Sequence, residues 1–250
     1  MSTASGGSPR QTRSLGVFEG ALLRPFVKLV TVRAARPCGE RFRLVTLTGE
    51  SVRDLPWTPG AKVQVQLGGW VYRTYTPISW NPNEGSLDLL LYAHGDGPGA
   101  SWTRSLSIGD TCAIFGPRGS IDLDATHRPL VIFGDETSFG LVHALRFSAG
   151  GANDVAVVLE VTSPTDALAV LTELGIENVE LVERSPGDGH LRDLEAAVVG
   201  RLAARPVQSC ILTGKATSIQ ALNKVVRNHG LGSRHIRAKA YWAPGKTGLD

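Results

Sequence analysis

The amino-acid sequence predicts a β domain followed by an α/β domain. Three observations carry this reading. Short runs in which apolar and polar residues alternate with period two occupy about residues 24–117. Near residue 128 the rhythm changes, and short apolar runs then alternate with segments of helical periodicity. The length, 250 residues of which 42% are hydrophobic, suits one to two domains with real cores and excludes a wholly disordered chain. The expected boundaries are a disordered Ser/Gly/Arg-rich tail over 1–15, a β domain over 16–127 and an α/β domain over 128–250.

Taken in order, Leu29 to Val32 begins one strand, and Phe42, Leu44 and Thr46 mark a second. The clearest strand is 61–67, where Val63, Val65 and Leu67 alternate with Lys62, Gln64 and Gln66. Leu87, Leu89 and Leu91 repeat the pattern after a turn at Asn81-Pro82-Asn83-Glu84-Gly85. A short helix is expected over 99–106 and a strand over Thr111–Phe115. Strands at this spacing make a small barrel or sandwich. In the second half, strands are expected at Pro129–Phe133, Val155–Val161, Val179–Val182, Ser209–Leu212 and Ile236–Tyr241. Helices are expected at Thr137–Phe147, Asp166–Leu174, Leu191–Leu202 and Ser218–Val226. Alternating β and α units imply a parallel sheet with helices on both faces, a three-layer arrangement.

Composition removes several function classes. No run of 18 apolar residues occurs, and the N-terminal MSTASGGSPRQTRS is polar, so neither membrane insertion nor a secretory signal is expected. Cys38, Cys112 and Cys210 are scattered and odd in number, which argues against a disulfide framework, a zinc site or a cysteine-ligated cluster and for a cytoplasmic setting. The six histidines form no metal-binding spacing, so no metal is expected. Residues 151–200 carry ten acidic and two basic side chains, and residues 201–250 carry nine basic and one acidic. The basic residues are spread through structured segments without interleaved stacking aromatics, so nucleic acid is not the expected partner. No G-x-G-x-x-G follows a strand, the Thr213-Gly214-Lys215-Ala216-Thr217 run lacks the leading glycine of a phosphate loop, and no G-x-S-x-G elbow is present.

Three clusters carry chemistry. In Arg73-Thr74-Tyr75-Thr76-Pro77, extended backbone sends residues 73 and 75 to one side and 74 and 76 to the other. Arg73 can fork onto a phosphate, Tyr75 can lay its ring on a flat cofactor, and Thr76 can hydrogen-bond a ring nitrogen. In His94-Gly95-Asp96-Gly97-Pro98-Gly99-Ala100-Ser101-Trp102, glycines admit close backbone approach, and a helix start with Ser101 beside it suits a pyrophosphate. Gly116-Pro117-Arg118-Gly119 reads as the turn that ends the last strand of the β domain.

In order and spacing, RTYT, HGDGPGASW and GPRG resemble the siderophore-interacting protein family, a branch of the ferredoxin-reductase-like flavoproteins. The resemblance continues through Gly134-Asp135-Glu136-Thr137, Glu160-Val161, Leu212-Thr213-Gly214 and Tyr241-Trp242-Ala243-Pro244-Gly245, covering about residues 22–245. It implies a Greek-key β-barrel that binds FAD and an α/β domain that binds NADPH or NADH. The implied activity is reduction of ferric siderophores for iron release, by a monomer. Carried over residue by residue, Arg73 would sit on the FAD phosphate, Tyr75 along the ribityl and ring, and Thr76 at the reactive flavin edge, with Thr74 between them. His94 and Gly95 would line the flavin. Gly97, Pro98, Ala100, Ser101 and Trp102 belong to the pyrophosphate segment. Asp135, Glu136, Thr137 and Gly214 would border the nicotinamide nucleotide.

Ferric siderophores are often anionic, and Lys62, Arg104, Lys239 and Lys246 are the basic candidates for docking them. The sequence departs from the family pattern at three places. Lys215 stands where an acidic residue is usual and is a candidate for a 2′-phosphate. Val182-Glu183-Arg184 replaces an aromatic and a histidine before the arginine. Ser138-Phe139-Gly140 replaces a small-apolar-proline run. Two other readings remain: a flavin oxidoreductase with a different electron acceptor, and a module that holds a flavin or iron complex without turnover.

Overall fold

The structure, a computed structural model, describes residues 27–123, 125–147 and 154–246; the expected tail over 1–15 lies outside them. The first sheet is antiparallel and has seven strands: β1 (Val27–Cys38), β2 (Phe42–Thr48), β3 (Lys62–Gly68), β4 (Val71–Tyr75), β5 (Ser79–Asn81), β6 (Ser86–Tyr92) and β7 (Thr111–Arg118). Its order is β4-β3-β7-β1-β2-β6-β5. β7 inserts between β3 and β1, as a Greek-key path requires, and the sheet curls until β4 approaches β6. Sequence patterning alone did not mark β4 and β5, which are short and carry no clean alternation. Helix α1 (Pro98–Ser105) closes one end of this barrel-like sheet.

The second sheet is parallel, with order β10-β9-β8-β11-β12. Its strands are β8 (Leu130–Asp135), β9 (Val155–Val161), β10 (Val179–Glu183), β11 (Ser209–Lys215) and β12 (Ile236–Trp242). Helices α2 (Phe139–Phe147), α3 (Pro164–Glu173), α4 (Leu191–Ala204) and α5 (Ala216–Asn228) connect them. The expected helix at 137 begins as a 3-10 turn, Glu136–Ser138, before α2.

Alternation within single strands shows how the layers stack. In β8, Leu130 and Ile132 face α2 and α3, whereas Val131 and Phe133 face α4 and α5. A parallel sheet covered on both faces needs such continuous apolar strands. The barrel repeats the device. In β2, Val45 and Leu47 enter the barrel core, while Phe42 and Leu44 point outward. In β6, Leu87, Leu89 and Leu91 point in, while Leu90 and Tyr92 point out. Those outward residues join Phe139, Leu141, Val142 and Leu145 of α2 and Ala167, Val170 and Leu171 of α3 in one apolar cluster. The α2–α3 layer is therefore gripped between the parallel sheet and the barrel. At its centre the rings of Phe42 and Phe139 stack with centroids 5.2 Å apart.

Phe139 is fully buried, so Phe139→Ala removes a ring from the packing that both sheets share. The expected loss is about 3–5 kcal/mol, read as a lower urea midpoint at unchanged slope.

Candidate functional site

In β4, Tyr75 lies opposite Val63, Arg73 opposite Val65, and Thr74 opposite Gln64. Arg73 and Tyr75 thus share the face on which Val63 and Val65 enter the barrel core, and Thr74 takes the other. Tyr75 packs against Trp102 of α1, with ring centroids 6.4 Å apart, and burial pushes its phenol up to about 12. Trp102 is itself buried in the barrel core. Tyr75 and Trp102, named separately in the sequence, together brace α1 against β4.

Arg73 lies across the start of that helix. A Cβ at Gly99 would stand 3.4 Å from Arg73 Cγ and Nε. Gly97 is the N-cap, offers no side-chain cap, and is followed by Pro98 at the first helical position. The first closed hydrogen bond runs from Ser101 N–H to Gly97 O, so helix geometry leaves the Gly99 and Ala100 N–H groups pointing outward. Gly95, at φ 60°, and Gly97 have nothing within 4 Å of where a Cβ would be. A guanidinium, a helix N-terminus and an open glycine approach thus converge, which is the donor set a diphosphate needs. The residues present fit the pyrophosphate of FAD.

His94 leads away from this cradle toward the second sheet. Its ring stacks on Tyr92 at 5.0 Å and stands 6.4 Å from Trp242. Burial holds its imidazole below the usual value. Tyr92 O–H donates to Glu136 Oε1 at 3.1 Å, a direct hydrogen bond from the barrel to the parallel sheet. Thr76 crosses at a second point. A Cβ at Gly140 would stand 2.6 Å from Thr76 O, so only glycine at the start of α2 admits this approach.

At the carboxyl end of β8, Asp135 is fully buried. Its Oδ1 accepts Thr137 N–H at 2.9 Å and the Thr137 hydroxyl, and its Oδ2 accepts Trp242 Nε1–H at 2.7 Å. Burial, together with the neighbouring Glu136 charge, raises its carboxyl to about 6. Gly214 faces this carboxylate at φ 100°, and a Cβ there would meet Asp135 Oδ2 at 2.4 Å. Burial alone would raise the Glu136 carboxyl, but Arg184 and the Thr162 N–H hold it below its ordinary value. Arg184 Nη2 donates to Glu136 Oε2 at 2.9 Å, and Thr162 N–H donates to Oε1 at 2.6 Å.

Glu160, at the end of β9, accepts His190 Nε2 at 2.9 Å and Ser218 Oγ at 2.8 Å on the same oxygen. His190 Nδ1 accepts Ser185 N–H at 3.2 Å, so the ring hydrogen resides on Nε2. Trp242 closes this end: the Arg184 guanidinium lies 5.7 Å and the Lys215 ammonium 5.8 Å from its ring centre.

The candidate docking cations are dispersed. Arg104 donates to Gly95 O at 3.0 Å and stands 3.8 Å from Asp96, bracing the glycine loop. Lys239 Nζ donates to Ser120 Oγ at 3.2 Å. Lys62 lies opposite Arg118 in the β3–β7 ladder, and Lys246 is exposed beyond β12. Lys215, marked in the sequence for a 2′-phosphate, is buried and bonded to Asp188. Site residues that motif reasoning passed over are Tyr92, Asp188, His190 and Ser218. Glu160 had a visible signal as a carboxylate ending an apolar strand; the other four had none. Among the described residues no cluster suits a metal ion.

Comparison with known proteins accords with this geometry. Residues 66–121 match the family model of the siderophore-interacting FAD-binding domain, which bears out the resemblance read in the sequence. A siderophore utilization protein from T. fusca superposes with TM-score 0.71 at 19% identity, over 90% of this chain and 95% of that one. A siderophore-interacting protein from Aeromonas hydrophila gives TM-score 0.69 at 21% identity, over 88% and 93%. These likenesses show the fold. NADH-cytochrome b5 reductase 1 of Dictyostelium discoideum is 30% identical over 88 residues, 35% of this chain and 31% of that protein. The ferredoxin–NAD(P)+ reductase component of a naphthalene 1,2-dioxygenase/salicylate 5-hydroxylase system from Ralstonia sp is 25% identical over 207 residues. That match covers 77% of this chain and 63% of the Ralstonia protein. The chain therefore spans under a third of the first of these relatives and under two thirds of the second.

The raised Asp135 carboxyl sets a pH signature. Unfolded, the group titrates near 3.8; folded, near 6. Between those values the folded chain holds a proton that the unfolded chain has lost, so its contribution to stability falls as pH rises through the window and is constant above it. Asp135→Asn abolishes that fall. The variant is expected to gain on the parent from pH 4 to pH 6 in chemical denaturation, with no further gain above pH 7.

Proposed function

We propose that this chain is a flavoprotein oxidoreductase that passes electrons from NAD(P)H through FAD to ferric siderophores, in a cytoplasmic setting. The observation that carries the reading is the cradle of Arg73, Gly95, Gly97 and the open first turn of α1. It lies within the segment that matches the FAD-binding family model. Held there by Arg73 and the first turn of α1, FAD would supply hydride acceptance from a reduced nicotinamide and one-electron transfer to Fe(III).

The chain's own residues bind, orient and exclude water. Arg73 and the Gly99 and Ala100 N–H groups hold the phosphates. Thr76 and His94 place polar atoms where the two sheets meet, the position the resemblance gives to the flavin edge. Trp242 and Tyr92 wall that junction with aromatic surface. The nicotinamide nucleotide is assigned to the carboxyl ends of β8 and β11, beside Asp135 and Gly214. One hydride would reduce two Fe(III) and release one proton to solvent, and no acid–base pair of the protein is assigned to that release. Three further facts are consistent with a soluble reductase in a reducing compartment. No helix of the described residues is long and apolar enough to cross a membrane. All three cysteines are buried free thiols. Burial pushes each of them up to about 12, well away from thiolate.

A second reading, reduction of a protein acceptor, is favoured by the names of the curated relatives, which are ferredoxin and cytochrome b5 reductases. Anaerobic spectroscopy separates the two. Protein loaded with FAD is expected to bleach with NADH or NADPH and to recover its colour on addition of a ferric siderophore. Bleaching without recovery would leave the second reading. A chain that takes up no FAD would overturn both. Arg73→Ala removes a charge-assisted phosphate contact worth about 1.5–3 kcal/mol. Fluorescence titration should therefore show FAD affinity reduced roughly 10- to 150-fold, and unchanged affinity would remove Arg73 from the site.

A further inference from the structure

β8 stands where the order of strand addition reverses: β9 and β10 extend the sheet on one side, β11 and β12 on the other. Ligands of open α/β sheets bind beyond the carboxyl ends of the strands at such a reversal. Here those ends carry five carboxylates, Asp135, Glu136, Glu160, Glu183 and Asp188, against two permanent cations, Arg184 and Lys215. Both cations are already engaged. Arg184 is bonded to Glu136 and lies 3.8 Å from Glu160. Lys215 Nζ is bonded to Asp188 Oδ1, and its side chain is 8% exposed.

The position of Asp188 is fixed through its side chain. Gly187 at φ 65° and Asp188 at φ 60° are both left-handed, a conformation that aspartate adopts more readily than most non-glycine residues. Lys215 holds one carboxylate oxygen, and Thr217 Oγ1 donates to the other at 3.3 Å. Lys215 in turn holds the Asp188 carboxyl below its usual value. The lysine is thus satisfied internally before any ligand arrives.

We propose that the Asp188–Lys215 pair makes this site selective for the dinucleotide without a 2′-phosphate, NADH over NADPH. The inference rests on the reading that the nicotinamide nucleotide docks at the ends of β8 and β11. A 2′-phosphate adds up to two negative charges. In this crevice it meets carboxylates in excess and finds both cations already paired with carboxylates, so binding it requires breaking an ion pair whose lysine is buried. A hydroxyl in its place demands no counter-charge.

The test measures binding and does not depend on turnover. The full chain is titrated calorimetrically with 5′-AMP and with adenosine 2′,5′-bisphosphate, which differ only in the 2′-phosphate. The parent is expected to bind 5′-AMP at least as tightly as the bisphosphate. Asp188→Asn keeps a residue that tolerates the left-handed backbone and removes the charge. It is expected to raise bisphosphate affinity about tenfold while 5′-AMP stays within roughly twofold. Adding Lys215→Met should erase that gain. Asp188→Gly, unstrained at this φ, should reproduce it if asparagine disturbs the loop. A parent that prefers the bisphosphate, or an unchanged ratio in both Asp188 variants, would overturn the selectivity. Failure of both nucleotides and of NADH to bind the parent would instead overturn the docking position, and the selectivity with it.

Discussion

The arrangement of the two sheets turns on one buried carboxylate. Glu136 sits between the barrel and the parallel sheet, 6% exposed, where an unpaired charge would cost several kcal/mol. It is stabilised by groups from three directions: the Arg184 guanidinium beyond β10, the Thr162 N–H beyond β9, and the Tyr92 hydroxyl at the end of β6. Each bond fixes a different element relative to β8. The Tyr92 bond does so across the sheets, and the ring that carries it also packs against Phe42 and stacks on His94. The Phe42–Phe139 stack supplies the apolar part of the same junction. Hydrophobic packing sets how closely the sheets approach. The carboxylate and its donors set the orientation, because hydrogen bonds are directional and apolar contacts are not.

The two halves of the candidate site rest on different physics. The proposed FAD cradle is built largely from backbone: a helix start, two glycines with open space beside them, and one arginine lying against Gly99. Its open helix N–H groups face outward, and Arg73 is held by a bond to Tyr72 O. The proposed nucleotide end is built from side chains that mostly pair with one another, although Glu160 Oε1 and Arg184 Nε have no hydrogen-bond partner. Asp135, Thr137 and Trp242 form one group, Glu160, His190 and Ser218 a second, and Lys215, Asp188 and Thr217 a third. A ligand entering the first half would meet open helix N–H groups, whereas one entering the second would have to exchange existing hydrogen bonds.

That difference explains what was legible in the sequence. RTYT and HGDGPGASW are contiguous, and local backbone geometry makes them a site, so reading them in order located Arg73, Gly95 and Gly97 beside the start of α1. Strands with a clean buried face, such as β3 and β6, were equally plain. β4 was not, because every residue in it is half-buried and no alternation survives. The polar groups at the ends of β8, β9 and β11 were largely invisible, because their partners lie 22 to 58 residues apart in the chain. Ser138-Phe139-Gly140 looked like a loss of family character. In the structure Phe139 fills the shared core and Gly140 admits Thr76. Both residues thus serve the joint between the sheets.

Gly140 has a mechanical consequence. Thr76 rests backbone against backbone on the first turn of α2, with no side chain between them to bend or rotate aside. A contact of that kind acts as a ruler. The separation of barrel and sheet at this point is set by van der Waals radii alone, and each heavy atom added at position 140 would act as a shim that lengthens it. For any chemistry that depends on two bound partners meeting face to face across the gap, the distance they meet at is written in the absence of one methyl group.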